Sequence, residues 1–301
     1  MTDPLSHHDR YGYSPIIQRP DFSWPGGGRL AVYIAINIEW FAFDEPGGAV
    51  LASANHAPDV LNHAWRDYGN RVGLWRMLDL LDRLDLPAAG LLNGAVCDHA
   101  PQIPEAFVAR GDEIVAHGWT NSTEPGKMSR EDEARMLAQS RDRLAEKTGQ
   151  RPEGYLAPLI SESVHTPDLL DAAGYSYLMD WAHDEQPVWF DTKREDGSRS
   201  RILSVPYPQE INDVPQIIGR RREGAEFADM IRSAYALHQR ECAQRPVVMG
   251  IALHPYLMGQ AHRFEHLERA LSRLKAQAGP ETWFTTPGQI AAHYSSLELD
   301  A

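Results

Sequence analysis

Four residues of this chain, Glu39, His117, Asp180 and His254, combine a side chain suited to acid–base chemistry with a place just after an apolar run. The runs are LAVYIAINI before Glu39, EIVA before His117, YSYLM before Asp180 and VVMGIAL before His254. If these runs are parallel strands, their C-terminal ends share one mouth, which is where α/β proteins bind ligands. Glu39 sits between apolar neighbours. Burial should raise its carboxyl pKa toward neutrality and make it a general base for water. His254 is followed by Pro255, which fixes the backbone there, and could protonate a leaving nitrogen or polarise a scissile carbonyl. Glu39 and His254 could also exchange the roles of base and acid. Asn121, four residues beyond His117, offers an amide that can both donate and accept toward a substrate carbonyl or amide. Asp180 is placed to orient one of the histidines. The polar segment Tyr207-Pro208-Gln209-Glu210-Ile211-Asn212-Asp213 could line the pocket, with Tyr207, Glu210, Asn212 and Asp213 as substrate contacts. Trp40 and Trp181, next to Glu39 and Asp180, are further contact candidates. His7-His8 and His262-x-x-x-His266 have metal-like spacing, but a tail and an Arg- and Glu-rich helix imply solvent exposure for both. No Gly-x-Ser-x-Gly pattern supports covalent catalysis.

The elements that would carry these residues alternate between strand and helix. Leu30–Ile38 and Val247–Leu253 are continuous apolar runs, as expected of strands buried on both faces. Shorter strands are expected at Ala88–Leu92, Glu113–Ala116, Gly154–Leu156, Tyr175–Met179 and Ile202–Val205, with Thr282–Thr285 extended. Leu74, Met77, Leu78, Leu81 and Leu84 recur at helical spacing until Pro87. Helices are also expected at Pro101–Arg110, after the Ser129 cap to Gly149, from Thr166-Pro167 to Gly174, and at Glu226–Glu241, Arg263–Lys275 and Gln289–His293. Phe41–Gly69 reads as a long irregular stretch and Asp196-Gly197 as a turn. About seven principal strands fit an irregular parallel barrel better than the regular eightfold one. A doubly wound dinucleotide fold is disfavoured, because Gly26-Gly27-Gly28 precedes the first strand and no Gly-x-Gly-x-x-Gly follows it. Residues 1–29 form an extended arm packed on the barrel, and 30–301 the single catalytic domain.

The formal charge of −13 argues against nucleic acid or an anionic membrane as partner. Two cysteines, Cys97 and Cys242, give neither a disulfide framework nor zinc-finger spacing. With no signal-like apolar segment at the start and no membrane-length run, a cytoplasmic protein with a small-molecule substrate is expected.

These motifs resemble the polysaccharide deacetylase (NodB-homology) superfamily. The resemblance runs roughly from Leu30 to His293 and implies an α/β fold, an irregular (β/α)7 barrel. Its first motif falls on Asn37-Ile38-Glu39-Trp40, its second on His117 to Asn121 and its third near Leu156-Ala157-Pro158. The fourth falls on Asp180-Trp181 and the fifth on Leu253-His254-Pro255. The departures bear on the metal. The expected Asp, second His and Arg are replaced by Trp40, Asn121 and Leu156, which leaves only Glu39 and His117 as motif-derived ligands. The cofactor expectation is therefore none, with a weakly bound divalent metal such as zinc as the alternative. Together with Trp24-Pro25-Gly26-Gly27-Gly28 and His117-Gly118-Trp119, these changes resemble the branch of cofactor-independent allantoinases and cyclic-imide hydrolases. That resemblance implies a homo-oligomer and hydrolysis of a cyclic amide, imide or ureide. Two rivals stand beside it. One is a metal-dependent N-deacetylase of an acetylated sugar or amine, which would need a further ligand such as His63 or Asp98. The other is a non-catalytic binding protein.

Overall fold

The computed structural model describes residues 8–43, 47–53 and 57–299. Strand β1 (Leu30–Ile38) is buried along its whole length. It leads through loops to helix α1 (Val60–Tyr68), a wide π-type turn at Gly69–Gly73, and α2 (Leu74–Leu84). Then follow β2 (Ala89–Leu92), the short α3 (Val96–His99), α4 (Gln102–Arg110), β3 (Glu113–Ala116), α5 (Arg130–Thr148) and β4 (Gly154–Tyr155). The chain continues with α6 (Thr166–Ala173), β5 (Tyr177–Leu178), β6 (Val188–Lys193), β7 (Arg199–Ser204) and α7 (Gly224–Glu241). Strand β8 (Val247–Leu253), α8 (Ala261–Gln277), β9 (Thr282–Thr285) and α9 (Pro287–Ser296) complete it.

The sheet order is β6-β7-β5-β4-β3-β2-β1-β8. All neighbours are parallel except the β6–β7 hairpin. Strand β9 pairs with the first half of β1, Leu30 opposite Thr282 to Tyr33 opposite Thr285, and β2 takes over from Ala35 onward. Between β7 and β8 the curled sheet is bridged by the segment after β7, where the Ala252 amide donates to Ile211 and Asn212 pairs with Ala252. Seven parallel strands thus form the irregular barrel read from the sequence. Side chains on one face of β1, such as Ile34, Ile36 and Ile38, meet the α2, α4 and α8 helices, while Ala31, Tyr33 and Ala35 fill the barrel interior.

Two elements differ from the expectation. Strand β6 was not visible as a strand, although Asp196-Gly197 does form the turn that joins it to β7. Helix α1 lies inside the stretch read as irregular. Its outward residues Val60 and Leu61 are 58% and 53% exposed, whereas its buried residues are Asn62 and Arg66. A helix that buries its polar side inverts the pattern by which amphipathic helices are recognised.

The arm is tied down at several points. Phe22 and Trp24 are buried, and Trp24 Nε1 donates to the Val247 carbonyl (3.2 Å). The Asp191 amide on edge strand β6 donates to the Arg10 carbonyl (2.7 Å), while Arg10 holds Asp168 through two bonds of 2.5 and 3.0 Å. His8 packs against Tyr11 and Trp181 rather than standing in solvent; His7 lies outside the described residues. His262 is exposed, as expected, whereas His266 is half-buried. Both cysteines are buried free thiols. Among the described residues no helix is long and apolar enough to cross a membrane.

Candidate active site

Strands β1, β3 and β8 deliver Glu39, His117 and His254 to one point at the mouth of the barrel. Glu39 Oε1 lies 3.6 Å from His254 Nε2 and 3.9 Å from His117 Nε2. All three side chains are 7% exposed or less. Asn121 joins them by donating from Nδ2 to Glu39 Oε1 (2.5 Å). Its own place is fixed by its backbone amide on the Trp40 carbonyl (2.8 Å). Asn93, at the end of β2, ties the loops together: it accepts from the Trp40 amide (2.7 Å) and donates to the His117 carbonyl. Gly118 turns the chain after His117 with φ of 62°, and a Cβ there would stand 2.5 Å from the Pro158 ring. The site therefore rests on short loops locked to one another.

The two histidines are held by different partners. His117 Nδ1 faces the Leu156 carbonyl at 2.8 Å. A carbonyl only accepts, so Nδ1 carries the proton and Nε2 is an acceptor with no protein partner. His254 is gripped by Asp213, whose two oxygens meet Nδ1 (2.6 Å) and the backbone amide (2.8 Å). Burial disfavours the imidazolium, but the Asp213 and Glu39 carboxylates outweigh it and push the His254 pKa up to about 10. Burial would likewise raise Glu39, as anticipated from its apolar neighbours. Here that expectation is corrected: the positive charge of His254, 3.6 Å away, outweighs burial and holds Glu39 well below the usual carboxylate range. At neutral pH the mouth holds a carboxylate and an imidazolium, with His117 Nε2 facing the carboxylate.

The remaining candidates distribute as follows. Asp180 orients neither histidine, because Asp213 and the Leu156 carbonyl hold them. Its Oδ1 accepts from the Ala157 amide (2.7 Å), next to the carbonyl that holds His117, so it acts on the loop rather than the ring. Burial, with the neighbouring Glu162 carboxyl, pushes the Asp180 pKa well up, and the two acids are placed to share a proton. Trp181 donates to Glu162 (2.8 Å) and packs on Phe190 beneath the arm. Trp40 stacks flat on His99, centroids 4.3 Å apart, at the lip of the site. Tyr207 exchanges hydrogen bonds with Asn37 inside the barrel (2.9 and 3.2 Å). Glu210 is exposed and paired with Arg220 (3.1 Å), and Asn212 Oδ1 accepts from the Val214 amide (3.1 Å). Asp213 is the partner of His254. These four were expected to be substrate contacts. Tyr207 and Asp213 instead direct their bonds into the protein, and Glu210 lies at the surface.

Three residues missed by sequence reasoning belong here. Asn93 follows a strand end, the same signal that marked Glu39 and His117. Tyr256, two residues beyond His254, is buried with its hydroxyl toward Glu39; burial first, then that carboxylate, raise its pKa and keep it a donor. Arg66 had no signal in the sequence. Its guanidinium lines, with Glu39, Trp40, His63, Asp67 and Asn70, a cavity of about 20 Å³, room for one water-sized group. A larger cleft of about 510 Å³ lies between the arm (Tyr11 to Pro20) and Val188–Asp191 and contains none of the mouth residues.

The donor set does not fit a metal. His254 carries protons on both ring nitrogens, Asn121 turns its NH2 to Glu39, and Trp40 offers no ligand atom. Among the described residues no group of three or more His, Cys, Asp or Glu side chains is arranged to hold an ion. Asp98, considered as a further ligand, is paired with Arg143 instead.

Residues 66–178 match the polysaccharide deacetylase family model. The peptidoglycan deacetylase of Helicobacter pylori is 29% identical over 118 residues, 39% of this chain and 40% of that protein. Among solved structures, a probable polysaccharide deacetylase from Pseudomonas aeruginosa superposes with a TM-score of 0.81 at 24% identity, covering 96% of this chain and 99% of the other. The Puue allantoinase superposes with a TM-score of 0.80 at 24% identity, covering 97% of this chain and 100% of the other.

Proposed function

We propose that the chain is a hydrolase of non-peptide carbon–nitrogen bonds of the polysaccharide deacetylase kind, and that it opens a cyclic amide, imide or ureide by adding water across the ring C–N bond; the family match over residues 66–178 and the shared fold support this reading. One observation carries this reading. Glu39 Oε1 and His117 Nε2 are two acceptors 3.9 Å apart, and the protonated His254 faces the same carboxylate. A water molecule donates twice and can satisfy both acceptors, which leaves its lone pair for a carbonyl carbon. Glu39 takes the water proton as the oxygen–carbon bond forms. His254 Nε2 gives its proton to the ring nitrogen as the carbon–nitrogen bond breaks. The two transfers reinforce each other. Loss of the His254 proton removes the charge that depresses Glu39, so the base strengthens as the acid is spent. Proton return from Glu39 to His254 restores the site.

A secondary ring amide presents its N–H and C=O on one edge, which matches a site with acceptors and donors side by side. The fold of the Puue allantoinase agrees with this choice. We also place the protein in the cytoplasm as a homo-oligomer acting on a small molecule. A second reading, N-deacetylation of an acetylated sugar or amine, is favoured by the names of its relatives.

The test is a mass-spectrometric survey of chelator-treated protein against hydantoin, allantoin, succinimide and N-acetylglucosamine. Gain of one water by a cyclic substrate, lost about 10²–10⁴-fold in Glu39→Gln, is the expected result. Loss of an acetyl group only after metal is restored would replace this function with deacetylation.

A further inference from the structure

Two arginines among the described residues expose less than a tenth of their surface, Arg10 and Arg66. Arg10 has its counter-ion in Asp168. Arg66, 5% exposed, has none among the described residues. Its Nε donates to the Asn62 carbonyl (3.2 Å) and its Nη1 to the Gly47 carbonyl, and the guanidinium carbon stands 4.0 Å above the Phe41 ring. Among the described residues no carboxylate lies within ion-pair distance of Arg66, and Nη2 has no acceptor. The nearby acids are committed elsewhere: Glu39 to His254 and Asn121, Asp67 to Arg71, and Asp59 to Asn62 at the start of α1. Yet Arg66 borders the same small cavity as Glu39. A buried charge without a partner is costly, so a fold that keeps one beside a reactive carboxylate has a use for it. The free Nη edge of a guanidinium matches a carboxylate.

We infer that Arg66 selects substrates that carry a carboxylate on the ring substituent, and binds that group beside Glu39. This rests on the ring-opening reading and adds the substrate's charge to it. The Glu39–His254–Asp213 group has one net negative charge, which Arg66 also offsets; the experiment separates that role from recognition.

The probes are hydantoin-5-acetic acid and its neutral carboxamide, compared on wild type, Arg66→Gln and Arg66→Lys. Wild type should favour the acid about 10–100-fold in kcat/KM, mainly through KM, as expected for one charge-assisted pair. In Arg66→Gln the preference should collapse to within about twofold. Arg66→Lys keeps the charge but not the fork, so a smaller preference should survive. That variant also decides the matter if the glutamine variant does not fold, since an unchanged ratio in it overturns the inference. A wild-type ratio near one, or a preference that persists in Arg66→Gln, overturns it as well. Equal losses on acid and amide would assign Arg66 to charge balance and reject recognition. If neither probe is opened, the ring-opening reading fails by itself. Calorimetric titration of the same probes then decides Arg66: acid binding at least about tenfold tighter than amide, lost in Arg66→Gln, sustains it, and equal binding overturns it.

Discussion

Asp213→Asn tests the electrostatics of the site most directly. It removes a negative charge 2.6 Å from His254 Nδ1 and keeps the side-chain size. His254 titrates at about 10 in place of the ordinary 6.5, a preference for the imidazolium of roughly 5 kcal/mol. Burial opposes that preference, and Asp213 ranks ahead of Glu39 among the groups that overcome it. A charge-assisted hydrogen bond contributes about 1.5–3 kcal/mol, so without it the His254 pKa should fall to about 8–9. The asparagine also meets the His254 amide, which now donates to Asp213 Oδ2 at 2.8 Å, and must turn either its oxygen or its NH2 to it. One of the two bonds is lost in either orientation, at a cost of about 1–3 kcal/mol. The sign of the pH dependence follows from the raised pKa. The His254 imidazolium stabilises the fold fully below 6.5, and that contribution fades as pH rises through about 10. Catalysis needs the same proton, so the alkaline limb of kcat/KM should lie near 10 in wild type and move down in the variant. Histidine-selective NMR titration, run beside the pH–rate profile, reads both quantities. A wild-type His254 ring that titrates near 6.5, or an alkaline limb unmoved by Asp213→Asn, would refute the reasoning.

Asn121→Asp places a second acid where an amide now donates to Glu39 at 2.5 Å. Two carboxylates at that distance cannot both ionise, so kcat/KM at pH 7 should fall by about 10²-fold and the acid limb of the profile should move upward. A profile that keeps its wild-type acid limb would count against Glu39 as the base. Gly73→Ala adds a Cβ that would stand 2.1 Å from the Pro255 carbonyl oxygen, a backbone atom one residue from His254. Denaturant melts should show a loss of about 1–3 kcal/mol, and a stability equal to wild type would mean that the π-type turn does not seat the His254 loop. Lowering the pH below 4.5 should weaken the fold as Glu39, whose folded pKa is depressed, loses the ionised form that the charge of His254 favours; thermal melts of Glu39→Gln should lack that contribution.

The positions of Glu39, His117 and His254 were legible because each follows an apolar run, and parallel strands bring their C-terminal ends together whatever lies between them. The same rule put Asp180 at the mouth, but it could not tell which group would orient a histidine. That depends on loops. Asp213 reaches His254 because the segment after β7 pairs with β8 at Asn212 and Ala252. The Glu39 pKa shows the same limit. Its burial could be read from its neighbours in sequence, while the His254 imidazolium that reverses the shift comes from a distant strand. Helix α1 was hidden for a different reason: Val60 and Leu61 face outward, and Asn62 and Arg66 face in. Hydrophobic periodicity finds helices by the apolar side they bury, so an element that buries polar groups for use escapes it. The residue argued above to choose the substrate sits on that element. Patterning reveals the scaffold because apolar burial builds it; an inward-facing arginine such as Arg66 breaks that rule, and only the assembled geometry sets it beside Glu39.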